Sequence, residues 1–506
     1  MSTPDGRSSE AQQPRQLKQR QQQGVTGVVA CLCSVALIVV TGLLGPSAAE
    51  LGYAPPGPSR SFETSPPDLL VALVLAIALL VGAVGVYLSW SAVRKGWHPD
   101  PRRLLVIGFL CAVAVAIVPP MGSGDLRMYA GFGQLTAQGF NPYVDNVDEL
   151  ADVGTPDELV SEGAPSHTSN VYGPVAQMVF GMSARVAGPS VRNTVWLFQI
   201  CALFAFLAVA LLLHFASGFR KQPSDSADTR ARAALLWACN PLLLFELVNG
   251  AHIDTIAVVF GLAALIVLAR SAVGAGILVA MSIAIKVSYG LYAVAIAWAL
   301  IRSHRKLIGY FVAAALTVLL LSLSARPELA NLQIASRWVS VASPWGPLDT
   351  ALENHASAEI ARVVVSIGAI LLLLVVARRL DSALPRGTDD ARGRAIRTAV
   401  LLGSAWLLTS PYAFPWYDAL VWAPLVLLPA SGVDLVLLAR LTIVSVAYLP
   451  GGTVLQGFTA TARHWVNSGL APALSLALVV FVIVAGPRLS LRSDSTSRLQ
   501  SSMANS

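Results

Sequence analysis

The feature that most narrows what this chain can fold into is the repetition of one kind of segment, an apolar run of roughly 17 to 25 residues, from Val25 to Pro487. Each run is long enough, as a helix, to cross about 30 Å of hydrocarbon. With 55% hydrophobic residues, 12% charged residues and a mean hydropathy of +0.64, the chain is too uniformly apolar to be a soluble protein of 506 residues. The expected fold is therefore an all-α polytopic membrane protein with about 13 spans, in a range of about 12 to 14. They fall near 26–45, 69–92, 103–120, 193–216, 232–249, 252–269, 272–286, 288–301, 307–324, 358–377, 397–410, 416–430, 434–450 and 468–486. Pairs such as 272–286 and 288–301 are short enough to be half-spans.

Lys and Arg orient such a chain, because loops kept in the cytoplasm carry the excess of positive charge. Arg15, Lys18 and Arg20 precede the first span, and Arg94, Lys95, Arg102 and Arg103 follow the second. Arg220, Lys221, Arg230 and Arg232 follow the fourth. Further clusters come at Arg302, Arg305 and Lys306, at Arg378, Arg379, Arg386, Arg392 and Arg394, and in the tail at Arg488, Arg492 and Arg498. All share one side if both termini are cytoplasmic in a plasma membrane. The segment 121–192 then faces outward, and its acids Asp145, Asp148, Glu149, Asp152, Asp157, Glu158 and Glu162 agree with that. The net charge of +7 is thus a matter of topology and implies no nucleic-acid partner.

The five cysteines, Cys31, Cys33, Cys111, Cys201 and Cys239, lie inside apolar runs and read as packing residues, without the neighbours a disulfide framework or metal site needs. Ser47-Ala-Ala mimics a signal-cleavage site, but the apolar stretch before it exceeds the usual 7 to 15 residues and reads as a retained span. Residues 1–24 and 488–506, rich in Gln or Ser, are expected to be disordered tails flanking a membrane domain over 25–487. Two outward loops break that domain: 121–192, too long for an idle connection and expected to hold one or two surface helices, and 325–357, with Arg337, Trp338, Trp345 and His355.

Chemistry concentrates on the outward side. Asp125, in Met121-Gly-Ser-Gly-Asp-Leu-Arg-Met-Tyr129, shares a helical face with Tyr129 and Phe132. A carboxylate can accept the proton of an attacking hydroxyl, and aromatic faces can hold a sugar ring, so the pair suits group transfer to a carbohydrate. The alternative is a helix N-cap. Val171-Tyr-Gly-Pro174 reads either as part of that site or as a turn with Pro at the first helical position. Asn249-Gly-Ala-His-Ile-Asp254, with Glu246 nearby, is a polar knot whose ionisable groups are costly at a membrane boundary. Lys286 could anchor a helix at the interface or hold a phosphate. In Ser410-Pro-Tyr-Ala-Phe-Pro-Trp-Tyr-Asp418 an interfacial belt explains the aromatics but neither Asp418 nor the prolines, and Arg463 with His464 forms a further candidate phosphate contact. A transporter would also have many spans, but should show internal repeats and midplane charges; no repeat is visible, and only Asp434 and Arg440 depart from helix ends.

The order of these motifs, Gly139-Phe-Asn-Pro-Tyr143, Tyr172-Gly-Pro174, Asn240-Pro-Leu242, Gly250-Ala-His-Ile-Asp254, Lys286 and Pro415-Trp-Tyr417 after an early Asp, resembles the polyprenol-phosphate-mannose-dependent α-1,6-mannosyltransferases of actinobacteria over about residues 100–430. Departures are Asp125-Leu-Arg-Met-Tyr129 where Asp-Val-Tyr-Ser-Tyr is common, Ile253 where Asn often follows the His, and Asp418 after the Trp-Tyr pair. The resemblance implies a GT-C membrane glycosyltransferase whose first large outward loop is catalytic, with Asp125 as base. Tyr129, Tyr143 and Tyr172 would line the sugar pocket, His252 and Asp254 would lie at its edge, and Trp416 with Tyr417 would complete its wall. It implies polyprenyl-phosphate-mannose as donor, a glycolipid or lipoglycan acceptor in lipomannan synthesis, and an inverting reaction forming an α-1,6 link. No cofactor or obligatory metal is expected. A related transferase using polyprenyl-phosphate-arabinose is the alternative within the class.

Overall fold

A computed structural model of the chain describes residues 6–45, 60–147, 150, 170–217, 223–325, 329–335, 337–386, 388–412, 414–451, 455 and 457–489. Among these every regular element is helical. The first half comprises α1 (Gly6–Leu44), α2 (Asp68–Arg94), α3 (Pro101–Ile117), α4 (Asp125–Gln138), α5 (Pro174–Ala187), α6 (Val191–Ala216), α7 (Pro223–Ala233), α8 (Pro241–Leu243), α9 (Asp254–Val267) and α10 (Ala272–Ile283). The second comprises α11 (Gly290–Leu300), α12 (His304–Ala325), α13 (Leu329–Ala335), α14 (Gly346–His355), α15 (Ala358–Ala383), α16 (Ala391–Thr409), α17 (Ala419–Leu425), α18 (Val433–Ala447), α19 (Gly457–Trp465) and α20 (Ala471–Ala485).

Each apolar segment read from the sequence falls on helix, but fewer are uninterrupted spans than the expected count of about 13. Among the described residues six helices are long and apolar enough to cross a membrane: Leu17–Leu44, Asp68–Arg94, Val191–Ala216, His304–Leu323, Ala358–Ala383 and Gly457–Leu489. Ala227–Ala238 and Pro241–Asn249 form a seventh if counted as one span bent by 42°. Asp254–Val267, Ala272–Ile283 and Val287–Leu300 are apolar but shorter. The shortening has local causes. Pro241 cannot continue the preceding helix, so Asn240 caps the next one through its side chain onto the Leu242 N–H, and π-helical turns at Ala234–Ala238 and Leu244–Asn249 flank the break.

The N-terminal segment also departs from expectation, since α1 begins at Gly6 and carries helix through most of the stretch read as disordered. Its Gln, Lys and Arg residues are good helix formers, and an apolar span supplies the costly nucleus. The acids at 148, 149, 152, 157, 158 and 162, the basic residues at 220 and 221, the residues 46–59 and the tail beyond Leu489 lie outside the described residues.

Packing follows rules for helices in lipid, where apolar surface gives little drive for association and close approach of small residues gives much of it. On α1 and α2, a Cβ on Gly27 would lie 2.7 Å from the Gly85 carbonyl oxygen, and Ser34 donates to the Ala78 carbonyl at 2.6 Å. Two buried ion pairs tie the bundle. Arg232 bonds Asp434 at 2.7 Å and the carbonyls of Leu425 and Leu428 at 2.9 Å, while Trp90 donates to the same carboxylate. Arg440 pairs with Asp418 and donates to the Leu407 carbonyl. The two charges that looked transporter-like are thus fixed in structural pairs.

One junction positions the segment that carries Asp125. The Asn249 amide donates to the carbonyls of Val115 and Pro119, both at 3.1 Å, and accepts from the Met121 N–H at 2.8 Å. Gln199 adds bonds to Val118 and Asn249 carbonyls. These carbonyls and the Met121 N–H would otherwise lack a partner in an apolar setting, so the Asn249 amide both satisfies and aims the chain.

Candidate active site

Ser123, not Asp125, takes the capping task at the start of α4: its hydroxyl accepts the Asp125 N–H at 3.0 Å, and Gly124 occupies the N-cap position. The Asp125 carboxylate is thereby left to line a cavity of about 370 Å³, within the roughly 300–1,000 Å³ common for small-molecule sites. The side chain is 24% exposed, yet desolvation in this recess is the largest influence on it and pushes its pKa up to about 6. Lys286 opposes that rise and Asp254 adds to it.

Facing the carboxylate across the same cavity is Lys286, whose ammonium bonds Asp254 at 2.6 Å and sits 3.7 Å from the centre of the Tyr417 ring. The buried Asp254 fixes the ammonium, and the ring gives it a cation–π partner without consuming a hydrogen-bond donor. A main-chain clasp brings these motifs together. The Gly173 N–H donates to the Ile285 carbonyl at 3.1 Å and the Val175 N–H to that of Ala284 at 2.9 Å. A Cβ on Gly173 would lie 2.2 Å from the Ala284 oxygen, so only glycine permits this approach. The turn reading of Val171–Pro174 is therefore correct, with Pro174 opening α5, and the same turn delivers Tyr172 to the cavity.

The polar knot lies behind this wall. Ala251 has a φ of 47°, a strained value for a residue with a side chain, and the bend it makes leads into His252. The His252 ring stacks on Trp416 with centroids 3.7 Å apart; its Nδ1 is 3.4 Å from the Tyr129 hydroxyl and 4.0 Å from an Asp125 oxygen. Its Nε2 has no hydrogen-bond partner among the described residues. Tyr129 continues the chain to the Tyr172 hydroxyl at 3.2 Å. Glu246 is wholly buried beside Ser445 and does not line the cavity.

Of the residues singled out from the sequence, Asp125, Tyr172, Lys286, Trp416 and Tyr417 line the cavity. His252, Asp254 and Tyr129 stand directly behind them. Tyr143 is buried and its backbone carbonyl receives the Asn331 amide, so it supports the outer loop without reaching the cavity lining. Asp418 is sealed against Arg440, and Arg463 and His464 sit on α19 outside the lining. Trp338, Trp406, Ser288, Ser410 and Tyr412 also line the cavity, though sequence reasoning had not nominated them. Tyr412 stood within the quoted aromatic cluster and Trp338 in the second outward loop; the loop docks there, with Ser340 bonded to the Pro411 carbonyl and Trp345 to that of Thr409. Among the described residues no three His, Cys, Asp or Glu side chains gather as they would around a metal. The cavity offers one carboxylate, one ammonium and a ring of aromatic faces.

The family model for α-(1→6)-mannopyranosyltransferase, N-terminal domain, matches residues 25–302. The chain is 26% identical over 436 residues to α-(1→6)-mannopyranosyltransferase A of Mycobacterium tuberculosis, covering 79% of this chain and 80% of that protein. It is 26% identical over 234 residues to α-(1→6)-mannopyranosyltransferase B of Corynebacterium glutamicum, covering 44% of this chain and 37% of that one. No solved structure matches significantly.

Proposed function

The chain belongs to the α-(1→6)-mannopyranosyltransferase family, and from that premise we propose that this multi-pass membrane mannosyltransferase moves mannose from polyprenyl-phosphate-mannose to a glycolipid or lipoglycan acceptor on the outer face of the plasma membrane. The observation that carries the reading is the pairing of Asp125 and Lys286 on one aromatic-walled cavity.

The donor's lipid stays in the bilayer and its sugar enters the cavity against Tyr172, Trp416 and Tyr417. Asp125 takes the proton of the acceptor's 6-hydroxyl as the oxygen attacks the anomeric carbon. The new C–O bond forms on the face opposite the phosphate, the bond to the phosphate oxygen breaks, and its electron pair leaves with the lipid monophosphate. A β-linked donor thereby becomes an α-1,6-mannoside in one inverting step. Charge develops on the leaving phosphate, and Lys286, held by Asp254, neutralises it in a site of low dielectric, with no need for a metal or cofactor. His252 lies under Trp416 and beside Asp125 and positions both.

Purified Asp125→Asn protein in proteoliposomes with radiolabelled polyprenyl-phosphate-mannose tests the proposal. The expected result is normal membrane insertion with transfer lost; undiminished transfer removes Asp125 as the base.

A further inference from the structure

One wall of the catalytic cavity is a single short helix. The seven-residue α13 contributes Leu332 and Ala335 to the lining, and Trp338 follows just beyond its end. The other face of α13 is open, with Gln333 exposed and Ile334 exposed by 57%. Among the described side chains of α13 only Asn331 is buried. Its amide nitrogen donates to two main-chain carbonyls of the first outward loop, that of Tyr143 at 2.9 Å and that of Asn170 at 3.2 Å.

Those two carbonyls belong to a braced neck. The Asn170 N–H donates to the Pro142 carbonyl at 3.2 Å, while the Asn170 side chain accepts the Tyr172 N–H at 2.8 Å and donates to Gln177 at 2.6 Å. Asn331 thus fastens α13 to the segment that delivers Tyr172 to the cavity. The far end of the wall is secured separately: the Ser340 N–H donates to the Pro411 carbonyl at 2.9 Å, the Trp345 indole to that of Thr409 at 2.8 Å, and the Trp338 ring centre lies 5.5 Å from that of Tyr412. A carboxylate able to take the proton of an acceptor hydroxyl can take one from water too, and a cavity of about 370 Å³ has room for several waters. Keeping water out is therefore what separates transfer from loss of the donor.

On the premise of the mannosyl-transfer reading, we propose that Asn331 is a positioning residue, the latch that holds the α13 wall closed, and that this latch decides whether the anomeric carbon meets an acceptor hydroxyl or water. With the latch released, water attacks the anomeric carbon and its proton passes to Asp125. The bond to the phosphate oxygen breaks, and its electron pair leaves with the lipid monophosphate. The donor is then consumed as free mannose and no glycoside forms. Two carbonyl oxygens facing position 331 call for a side chain that brings two N–H donors, which an amide supplies and a carboxylate does not. Aspartate there sets oxygen against oxygen and pushes the wall outward.

The test uses full-length protein in phosphatidylcholine proteoliposomes with radiolabelled polyprenyl-phosphate-mannose and octyl α-1,6-dimannoside, counting label in the extended glycoside and in free mannose. For Asn331→Asp the share of consumed donor released as free mannose should rise about tenfold. Asn331→Ala should move it less in the same direction, and Asn331→Gln, which keeps an amide, should stay nearest the unaltered protein. A second measurement needs no turnover: in Leu332→Cys protein, modification of position 332 by a charged methanethiosulfonate, followed by mass spectrometry, should quicken about tenfold when Asn331→Asp is added. An unchanged share of free mannose overturns the assignment, as do equal losses of both products with a lowered melting point, which mark Asn331 as a residue of general stability. Labelling at position 332 that Asn331→Asp leaves unchanged overturns it too. Unaltered protein that yields neither product overturns the transfer reading instead, and the labelling still judges the latch.

Discussion

The ion pair of Lys286 with Asp254 and that of Arg440 with Asp418 are chemically alike, a cation and a carboxylate withdrawn from water, but they differ in what surrounds the cation. Lys286 opens onto a cavity of about 370 Å³ and a Tyr417 ring, whereas Arg440 pairs with a carboxylate and the Leu407 carbonyl and borders only a recess of about 20 Å³, too small for a substrate. Arg232 with Asp434 and Trp90 belongs to the second kind. A buried charge is therefore a candidate for chemistry when one side of it faces space a substrate can fill; when no such space adjoins it, the pair is a fastening.

Several experiments can break or sharpen that contrast. The largest effect should come from Asp125→Asn, with transfer in proteoliposomes falling by about 10²- to 10⁴-fold and the unfolding midpoint unchanged. A fall in both would place Asp125 with the fastenings. Asp418→Asn should do the reverse, destabilising the folded protein by about 3–5 kcal/mol in a denaturation series, because it strands Arg440. Replacing both partners with apolar residues of similar volume, Asp418→Leu/Arg440→Met, should restore most of that stability with transfer largely intact. Lys286→Gln should lower kcat/KM for the lipid donor by about 10- to 100-fold, the scale of a lost hydrogen bond to a charged group, and lower the melting point by less than Asp418→Asn does, since the Gln amide can still donate to Asp254. The smallest effect is that of pH. With the Asp125 pKa raised to about 6, the base loses its ionised form as pH falls through that value, so kcat/KM should drop about tenfold per unit below it and level off above. A profile flat from pH 4.5 to 8 would contradict this assignment.

The helices were legible because a run of apolar residues leaves the chain little choice in lipid, whereas the break at Asn240-Pro241 fell inside the run 232–249 that read as one span, because its flanks stay apolar on both sides of the proline. Asp125 and Lys286 could be picked out because a charge near an apolar span is costly enough to need a cause. What could not be read was who meets whom. Asp418 looked like a substrate ligand because Arg440, 22 residues away, lies beyond any helical spacing that would have paired them on paper. Arg463 and His464 are polar and close to an aromatic, but nothing local reveals that their helix lies away from the lining. Trp338, Trp406 and Tyr412 were hidden for the opposite reason, since interfacial aromatics are so common in membrane proteins that three useful ones resemble the rest. The segment 325–357 reaches the cavity through the Ser340 N–H and the Trp345 indole, which donate to the carbonyls of residues 411 and 409, a pairing with no sequence periodicity behind it.

The clasp between Gly173–Val175 and Ala284–Ile285 consists of amide and carbonyl groups, which every residue type except proline supplies identically. The spacing of acid and ammonium is thus insulated from most mutations in the aromatic rings that line the cavity. Relatives could exchange those rings and come to accept a different hexose or a longer glycan while the reaction itself stayed in register, the one immovable position being the glycine at the joint.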